Sequence, residues 1–136
     1  MELSTAGEYA IRGMLVLASR HGDGPVNLDE ICRVRGLSKS REYMTKIFGV
    51  LAKADLVTAV RGRGGGYRLA RPPKDISLLD VIEAVEGPLA LNLCQHDPPQ
   101  CREPGCPVRP VWDDLQAKVR AALAGKNFAQ LARRLP

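Results

Sequence analysis

A glycine-rich segment near the middle of the chain most constrains the fold. Arg61-Gly62-Arg63-Gly64-Gly65-Gly66 separates two short apolar stretches, residues 56–60 and 67–70. Stretches of this kind flanking a glycine run predict an antiparallel β-hairpin, because glycine tolerates positive φ and allows close approach of the backbone to another surface. A phosphate-binding nucleotide loop fits poorly, because no Gly-Lys-Ser/Thr sequence opens a helix here.

Two predicted helices come directly before this hairpin. The first is short and begins at Asn27, with Glu30 as its capping-box partner. The second begins at Ser38, runs to about Ala54 and carries apolar residues at helical spacing. Gly36 separates them, and the second starts with small polar and basic residues. Together they predict a helix-turn-helix, and the hairpin that follows is predicted to be its wing.

Positive charge is concentrated in the helix-turn-helix and wing region. Residues 33–74 hold eleven Lys or Arg and two acids, whereas the rest of the chain holds nine bases and thirteen acids. We therefore expect these residues to meet a polyanion, and we favour nucleic acid. An acidic lipid surface is the alternative, but no basic amphipathic helix is evident there.

The candidate DNA contacts are Ser38, Lys39, Ser40, Arg41, Tyr43, Lys46, Arg61 and Arg63. Periodicity alone leaves Tyr43 open as a core residue instead, and an ordinary flexible hairpin tip is the alternative for the two wing arginines.

The remaining segments are predicted to be helical, apart from one loop. A first helix over about residues 6–20 follows a Thr5–Glu8 capping box, and a fourth begins at Ser77 with Asp80 and ends at Gly87. Residues 108–124 form a long amphipathic helix, which we interpret as a dimerisation helix, and residues 127–135 form a short closing helix.

The predicted fold is mainly α with a small β-hairpin, a winged helix-turn-helix plus a C-terminal dimerisation helix. Its parts are a DNA-binding domain (1–87), a cysteine-rich loop (88–107), and the dimerisation helix with its tail (108–136).

Three of the four cysteines, Cys94, Cys101 and Cys106, lie within thirteen residues that are interrupted by prolines. The chain shows no signal peptide and no membrane-spanning run, so we expect a cytoplasmic protein with reduced thiols. In that compartment, clustered cysteines indicate metal ligands or redox sensors rather than structural disulfides. Cys32 is distant in sequence and is predicted to be a small buried apolar residue.

Several stretches resemble the Rrf-type winged-helix transcription regulators, the family of the IscR-like and NsrR-like iron–sulfur regulators. The resemblance covers nearly the whole chain. It is carried by Leu3-Ser4-…-Tyr9-Ala10, Ser40-…-Tyr43-Met44-…-Ile47-Phe48-…-Leu51, Ala54-Asp55-Leu56-Val57, the wing Arg61–Ala70 and the helix Ile76–Gly87. It implies a homodimer on a dyad-symmetric operator, with the third helix in the major groove and the wing in the minor groove. It also implies an iron–sulfur cluster held by Cys94, Cys101 and Cys106.

The cluster ligands depart from the family pattern in spacing. Six and four residues separate the three cysteines here, whereas five in each gap are expected for well-known members. The resemblance offers Glu8 of the partner subunit as the fourth ligand, although a role in a helix cap is the alternative. Arg109 and Arg12 stand where some relatives have a ligating histidine. His96 is the reserve ligand.

The predicted function is a cluster-controlled transcription regulator, a repressor that senses redox state, nitric oxide or iron status. The cluster is [2Fe-2S] or [4Fe-4S], undecided, and zinc held by the three thiols and His96 is the chemical rival. The alternative function is a cluster-free winged-helix regulator that senses through thiol oxidation, or through bound zinc or a small ligand. A protein-interaction platform is a further alternative. We do not expect an enzyme, because no convincing nucleophile–base pair is present and both histidines lie in predicted loops.

Overall fold

The computed structural model describes residues 2–33 and 41–136. Its elements, in chain order, are α1 (Thr5–Ser19), α2 (Leu28–Arg33), α3 (Arg41–Lys53), β1 (Val57–Val60), β2 (Gly66–Leu69), α4 (Leu78–Glu86), α5 (Arg109–Ala124) and α6 (Phe128–Ala132). Two short 3-10 turns, Pro73–Asp75 and Leu93–Gln95, lie on either side of α4. The predicted fold, mainly helical with one hairpin, is confirmed. The predicted turn at Gly36 and the helix start at Ser38 lie outside the described residues. Among the described helices, none is both long and apolar enough to cross a membrane.

The first helix is capped by a different residue from the one predicted. Ser4 is the N-cap, and its Oγ accepts a hydrogen bond from the Gly7 N–H at 3.0 Å. The predicted Thr5–Glu8 capping box is therefore wrong. The backbone N–H of Ser4 donates to Glu86 Oε1 at 2.6 Å, so α4 fixes the residue that begins α1.

The caps predicted for two other helices are confirmed. Asn27 Oδ1 accepts from the Glu30 N–H at 2.8 Å at the start of α2. Ser77 and Asp80 form a complete capping box at the start of α4, with bonds of 3.1 and 2.9 Å. Both signals lie within four residues of chain, which is why sequence alone was enough to predict them.

The core forms where α1 meets the other helices. Buried residues on α1 include Tyr9, Ala10, Met14 and Leu17, which recur at helical spacing. On α3, Met44, Ile47, Phe48 and Leu51 point inward, as their 3, 4 and 7 spacing predicts. The largest fully buried side chains are Phe48, Phe128, Met14, Ile31, Met44, Leu51, Leu56, Ile76 and Val81.

The wing is an antiparallel pair with an additional bridge from the segment before α2. β1 and β2 pair in the register Val57 with Leu69 through Val60 with Gly66. The Val26 N–H donates to the Tyr67 carbonyl, and the Tyr67 N–H donates to the Val26 carbonyl, each at 2.8 Å. The Tyr67 ring also packs on Phe48, with centroids 4.7 Å apart. These contacts fix the wing against both the helix-turn-helix and the core.

The end of the chain packs onto residues 1–87, the segment that is predicted to bind DNA (the DNA-binding unit). Phe128 in α6 is fully buried within the common core. Its N–H donates to the Ile76 carbonyl at 3.0 Å, and the Leu78 N–H donates to the Lys126 carbonyl at 2.8 Å. Thus α6, which we assigned to the 108–136 segment, packs against residues of the 1–87 segment.

In contrast, α5 buries no side chain of its own. It is tied to the rest of the chain by polar contacts, including a 2.5 Å ion pair between Arg120 and Glu83 of α4. Large apolar side chains remain exposed on it and near it: Leu93, Val108, Val111 and Leu115, which are 49, 52, 56 and 39% exposed.

Candidate nucleic-acid interface and cysteine cavity

Two of the basic residues predicted from the sequence are exposed on α3. Lys46 lies on the side of the helix away from the buried Met44 and Phe48, and Arg41 lies at the start of the helix, beside α2. Tyr43 is half-buried, and its ring meets Tyr9 edge to face, with centroids 5.8 Å apart. Tyr43 thus contributes to packing, the role that periodicity left open for it. Ser38, Lys39 and Ser40 lie outside the described residues.

The tip of the wing places two cations at the end of the hairpin. Arg61 and Arg63 are both exposed, and within the described ranges 2–33 and 41–136 no carboxylate pairs with either. A Cβ at Gly66 would overlap the carbonyl of Val26, so only glycine permits this close approach of β2 to the segment before α2. The tip is therefore positioned by backbone contacts and leaves both guanidinium groups accessible.

An acidic residue that sequence reasoning missed lies beside α3. The carboxylate of Asp29, in the first turn of α2, forms an ion pair with the guanidinium of Arg41. Both side chains are largely exposed, at 66 and 62%. The neighbouring Glu30 pairs instead with Arg20, the residue that follows α1. No local signal predicts the Asp29 pair, because its partner lies twelve residues along the chain.

The three clustered cysteines line one cavity. Cys94 is buried in the turn Leu93–Gln95, Cys101 and Cys106 are half-buried, and all three are free thiols. The cavity has a volume of about 30 Å³, and its other lining residues are Asn92, Glu103, Val108, Arg109 and Trp112. The fold therefore brings together the three thiols that the sequence grouped, and adds the first turn of α5.

Polar contacts hold this cysteine loop between α4 and α5. Glu83 of α4 accepts from the Leu89 N–H at 2.8 Å, and Gln116 of α5 donates to the Leu89 carbonyl at 2.7 Å. Within the loop, Gln95 accepts from the Leu91 N–H at 2.9 Å and donates to Asp113 of α5 at 3.2 Å. A change in the loop is thus linked to the placement of α5 relative to α4.

The donor set fits a thiolate-bound group by its chemistry. Three sulfur ligands around one cavity match what iron–sulfur clusters and zinc require. The cavity is about the size of one water molecule, so the loop has to widen to accept a cluster. Within the described part of the chain, no three His, Cys, Asp or Glu side chains are already arranged to hold a metal ion.

The two predicted candidates for a fourth ligand lie outside this cavity. Glu8 is exposed on α1, where it forms an ion pair with Arg12 at 3.9 Å. Its carboxylate takes no part in the helix cap. His96 is exposed and lines a neighbouring cavity of about 450 Å³, together with Glu86 and Asp97. By contrast, Glu103, which sequence reasoning did not select, lines the cavity of the three thiols.

Cys32 is separate from this group. It is half-buried on α2 and packs against the common core. Burial raises the pKa of its thiol, the nearby carboxylate of Asp29 adds to the rise, and Arg41 opposes it. The thiol is therefore kept neutral, which agrees with its predicted role as a small apolar residue.

Comparison with known proteins gives a consistent family assignment. Residues 3–134 match the family profile described as Rrf2, iron-dependent transcriptional regulator. The chain is 36% identical, over 132 residues, to the HTH-type transcriptional regulator IscR of Aliivibrio salmonicida. That alignment covers 96% of this chain and 77% of the relative.

Solved structures agree with the sequence match. The fold is similar to that of CymR, the global cysteine regulator of B. subtilis, with a TM-score of 0.85 and 30% identity over 100% of this chain and 99% of the other. It is also similar to IscR of T. potens, with a TM-score of 0.80 and 33% identity over 98 and 87%. Both likenesses extend over nearly the whole chain and support its assignment to the winged-helix fold.

Proposed function

Because the chain belongs to the Rrf2 family of transcriptional regulators, whose members bind DNA, typically as dimers, we propose that it is a homodimeric, cytoplasmic repressor of a dyad-symmetric operator. We further propose that Cys94, Cys101 and Cys106 hold an iron–sulfur cluster that controls operator binding in response to redox state, nitric oxide or iron status. The observation that carries the cluster proposal is the single cavity lined by all three thiols.

The DNA-binding role is supported by the charge and by the geometry of the wing. Lys46 faces outward from α3 and Arg41 is exposed at the start of that helix, which suits contacts in the major groove, and Arg61 and Arg63 extend from the wing tip. Arginine inserted into a narrow, electronegative minor groove is a common mode of recognition. Ser38, Lys39 and Ser40 remain proposed contacts, and Tyr43 is proposed to orient α3 through its packing.

Dimerisation is proposed to cover the exposed side of α5. Val111 and Leu115 lie on this helix, and the nearby Val108 and Leu93 extend the apolar area. Burying such side chains against a second copy removes apolar surface from water. The division into residues 1–87, 88–107 and 108–136 is retained as a functional one, with α6 serving as an anchor on the DNA-binding unit.

The cysteine loop is proposed to transmit the state of the thiols to the dimer. Glu83 and Gln116 both bond to the Leu89 backbone, from α4 and α5 respectively. Ordering or releasing the loop therefore shifts α5 relative to the DNA-binding unit. In the dimer, the distance between the two copies of α3 depends on the position of α5. That distance has to match the spacing of the two operator half-sites, so it governs operator affinity. A bound cluster would supply a centre that reacts with oxidants or nitric oxide.

The fourth ligand is proposed to be Glu8 of the partner subunit. The carboxylate of Glu8 is exposed and takes no part in the helix cap, so it is accessible to a second subunit. Glu103 is the alternative within the same chain, because it lines the cavity. Glu8→Gln and Glu103→Gln distinguish the two: loss of cluster stability in one variant and not the other assigns the ligand.

Anaerobic reconstitution with iron and sulfide tests the cluster proposal. We expect visible absorbance above 300 nm, roughly the range of iron–sulfur charge transfer, and quenching of Trp112 fluorescence. Trp112 is the single tryptophan of the chain, and it lines the cysteine cavity. Cys101→Ser should abolish both signals, and Cys32→Ser is the matched control that should keep them. A colourless, iron-free wild-type protein would refute the cluster.

A second candidate is a cluster-free regulator that senses through oxidation of these thiols, or through zinc or a small ligand. The likeness to CymR, a cysteine regulator, over the whole chain favours it. In that case, iron leaves the spectrum unchanged, while mild oxidation forms a disulfide among Cys94, Cys101 and Cys106. Mass spectrometry of peptides from the oxidised protein, together with zinc analysis, separates these outcomes.

A further inference from the structure

An acidic residue, Asp29 of α2, lies beside α3, the helix proposed to enter the major groove. Asp29 and Arg41 are paired across the helix-turn-helix, from the first turn of α2 to the first described turn of α3. This pair involves one of the cations that we assign to DNA, so its consequence depends on the DNA-binding role proposed above.

The two ion pairs made by the first turn of α2 differ in their surroundings. In the Glu30–Arg20 pair the side chains are 30 and 39% exposed, so α1 and α2 partly shield it from solvent. In the Asp29–Arg41 pair they are 66 and 62% exposed. A pair that exposed contributes little to stability and is easily exchanged for another partner. The Asp29–Arg41 pair is therefore suited to being broken when DNA arrives.

We propose that Asp29 is a specificity-determining residue, whose carboxylate competes with the phosphate backbone for Arg41. In a non-specific complex the protein is not aligned with particular base edges and Arg41 meets the phosphate backbone. There Asp29 both occupies the guanidinium and repels the backbone. An operator can offer a guanine edge, which accepts two hydrogen bonds from one arginine. Asp29 thus weakens binding to random DNA more than binding to an operator.

A double-mutant cycle tests this with a random-sequence duplex about two helical turns long, measured by fluorescence anisotropy. The variants are Asp29→Asn, Arg41→Gln and the two combined. Asp29→Asn should tighten binding to this duplex about three- to fivefold. It should also steepen the slope of log binding constant against log salt concentration by about 0.9, the contribution of one added phosphate contact. In the Arg41→Gln background the same substitution should change neither quantity.

Asp114→Asn is the matched control. It removes one carboxylate from an exposed ion pair, with Lys118 on α5 at 2.9 Å, and should leave the affinity unchanged. Tightening of equal size in Asp114→Asn, or in the Arg41→Gln background, would show that Asp29 acts only through net charge and would overturn the inference. An affinity of Asp29→Asn equal to that of the wild-type protein would also overturn the inference. A wild-type protein that binds no duplex would instead refute the DNA-binding role itself.

Discussion

Replacing Gly66 by alanine should detach the wing from the helix-turn-helix. Gly66 has φ +150°, and a Cβ there would overlap the backbone of Val26 and Asn27. Because backbone cannot yield as a flexible side chain can, β2 has to move away. The two 2.8 Å hydrogen bonds between Val26 and Tyr67 are then lost.

The magnitude follows from those contacts. Two hydrogen bonds at about 1 kcal/mol each, plus about 1 kcal/mol for a non-glycine residue at positive φ, give a loss of about 3 kcal/mol in the free energy of unfolding. Gly64→Ala is the matched control, because Gly64 also has positive φ, at +78°, but has nothing within 4 Å of the new Cβ. It should cost only about 1 kcal/mol.

Urea denaturation monitored by circular dichroism measures the free energy of unfolding of both variants. Fluorescence anisotropy with a DNA duplex measures their DNA affinity. Gly66→Ala should weaken DNA binding beyond its effect on folding, because the tip that carries Arg61 and Arg63 is displaced. If Gly66→Ala costs no more stability than Gly64→Ala, the bridge to Val26 does not hold the wing, and the reasoning is refuted.

Four other outcomes are expected. The double substitution Arg61→Ala/Arg63→Ala should lower the log–log salt slope of DNA binding by about 1.8 without changing urea stability, since each contact contributes about 0.9; an unchanged slope would contradict the role of the wing. Phe128→Ala should cost about 3–5 kcal/mol of stability, because this side chain is fully buried. Val111→Glu, on the exposed face of α5, should instead dissociate the dimer in light scattering, and a stable dimer would place the interface elsewhere. Because burial raises the pKa of the Cys32 thiol, its alkylation in the Cys94→Ser/Cys101→Ser/Cys106→Ser variant should need a higher pH in folded than in urea-unfolded protein. The stability contributed by the neutral thiol should be lost as the pH rises through and above the ordinary pKa range of a thiol. Equal alkylation profiles would show that the site is not desolvated.

Local patterns in the sequence were enough to predict most of the fold. The boundaries of α4 and α5, the hairpin and the caps at Asn27 and Ser77 depend on residues close together in the chain, and the structure confirms them. The cap of α1 was predicted wrongly because Ser4 and Thr5 are adjacent and chemically alike. A contact with Glu86, eighty-two residues away, fixes the backbone of Ser4, and no local pattern contains that information.

By itself, the sequence determined the winged helix-turn-helix, its basic face and the grouping of three thiols in one loop, because periodicity, charge and spacing are properties of neighbouring residues. Only the tertiary structure showed that those thiols share a cavity with Glu103 and Trp112, and that Asp29 is paired with Arg41. It also showed that Phe128 packs into the core of the DNA-binding unit. Each of these joins residues on different elements, and such contacts form only when the helices pack together.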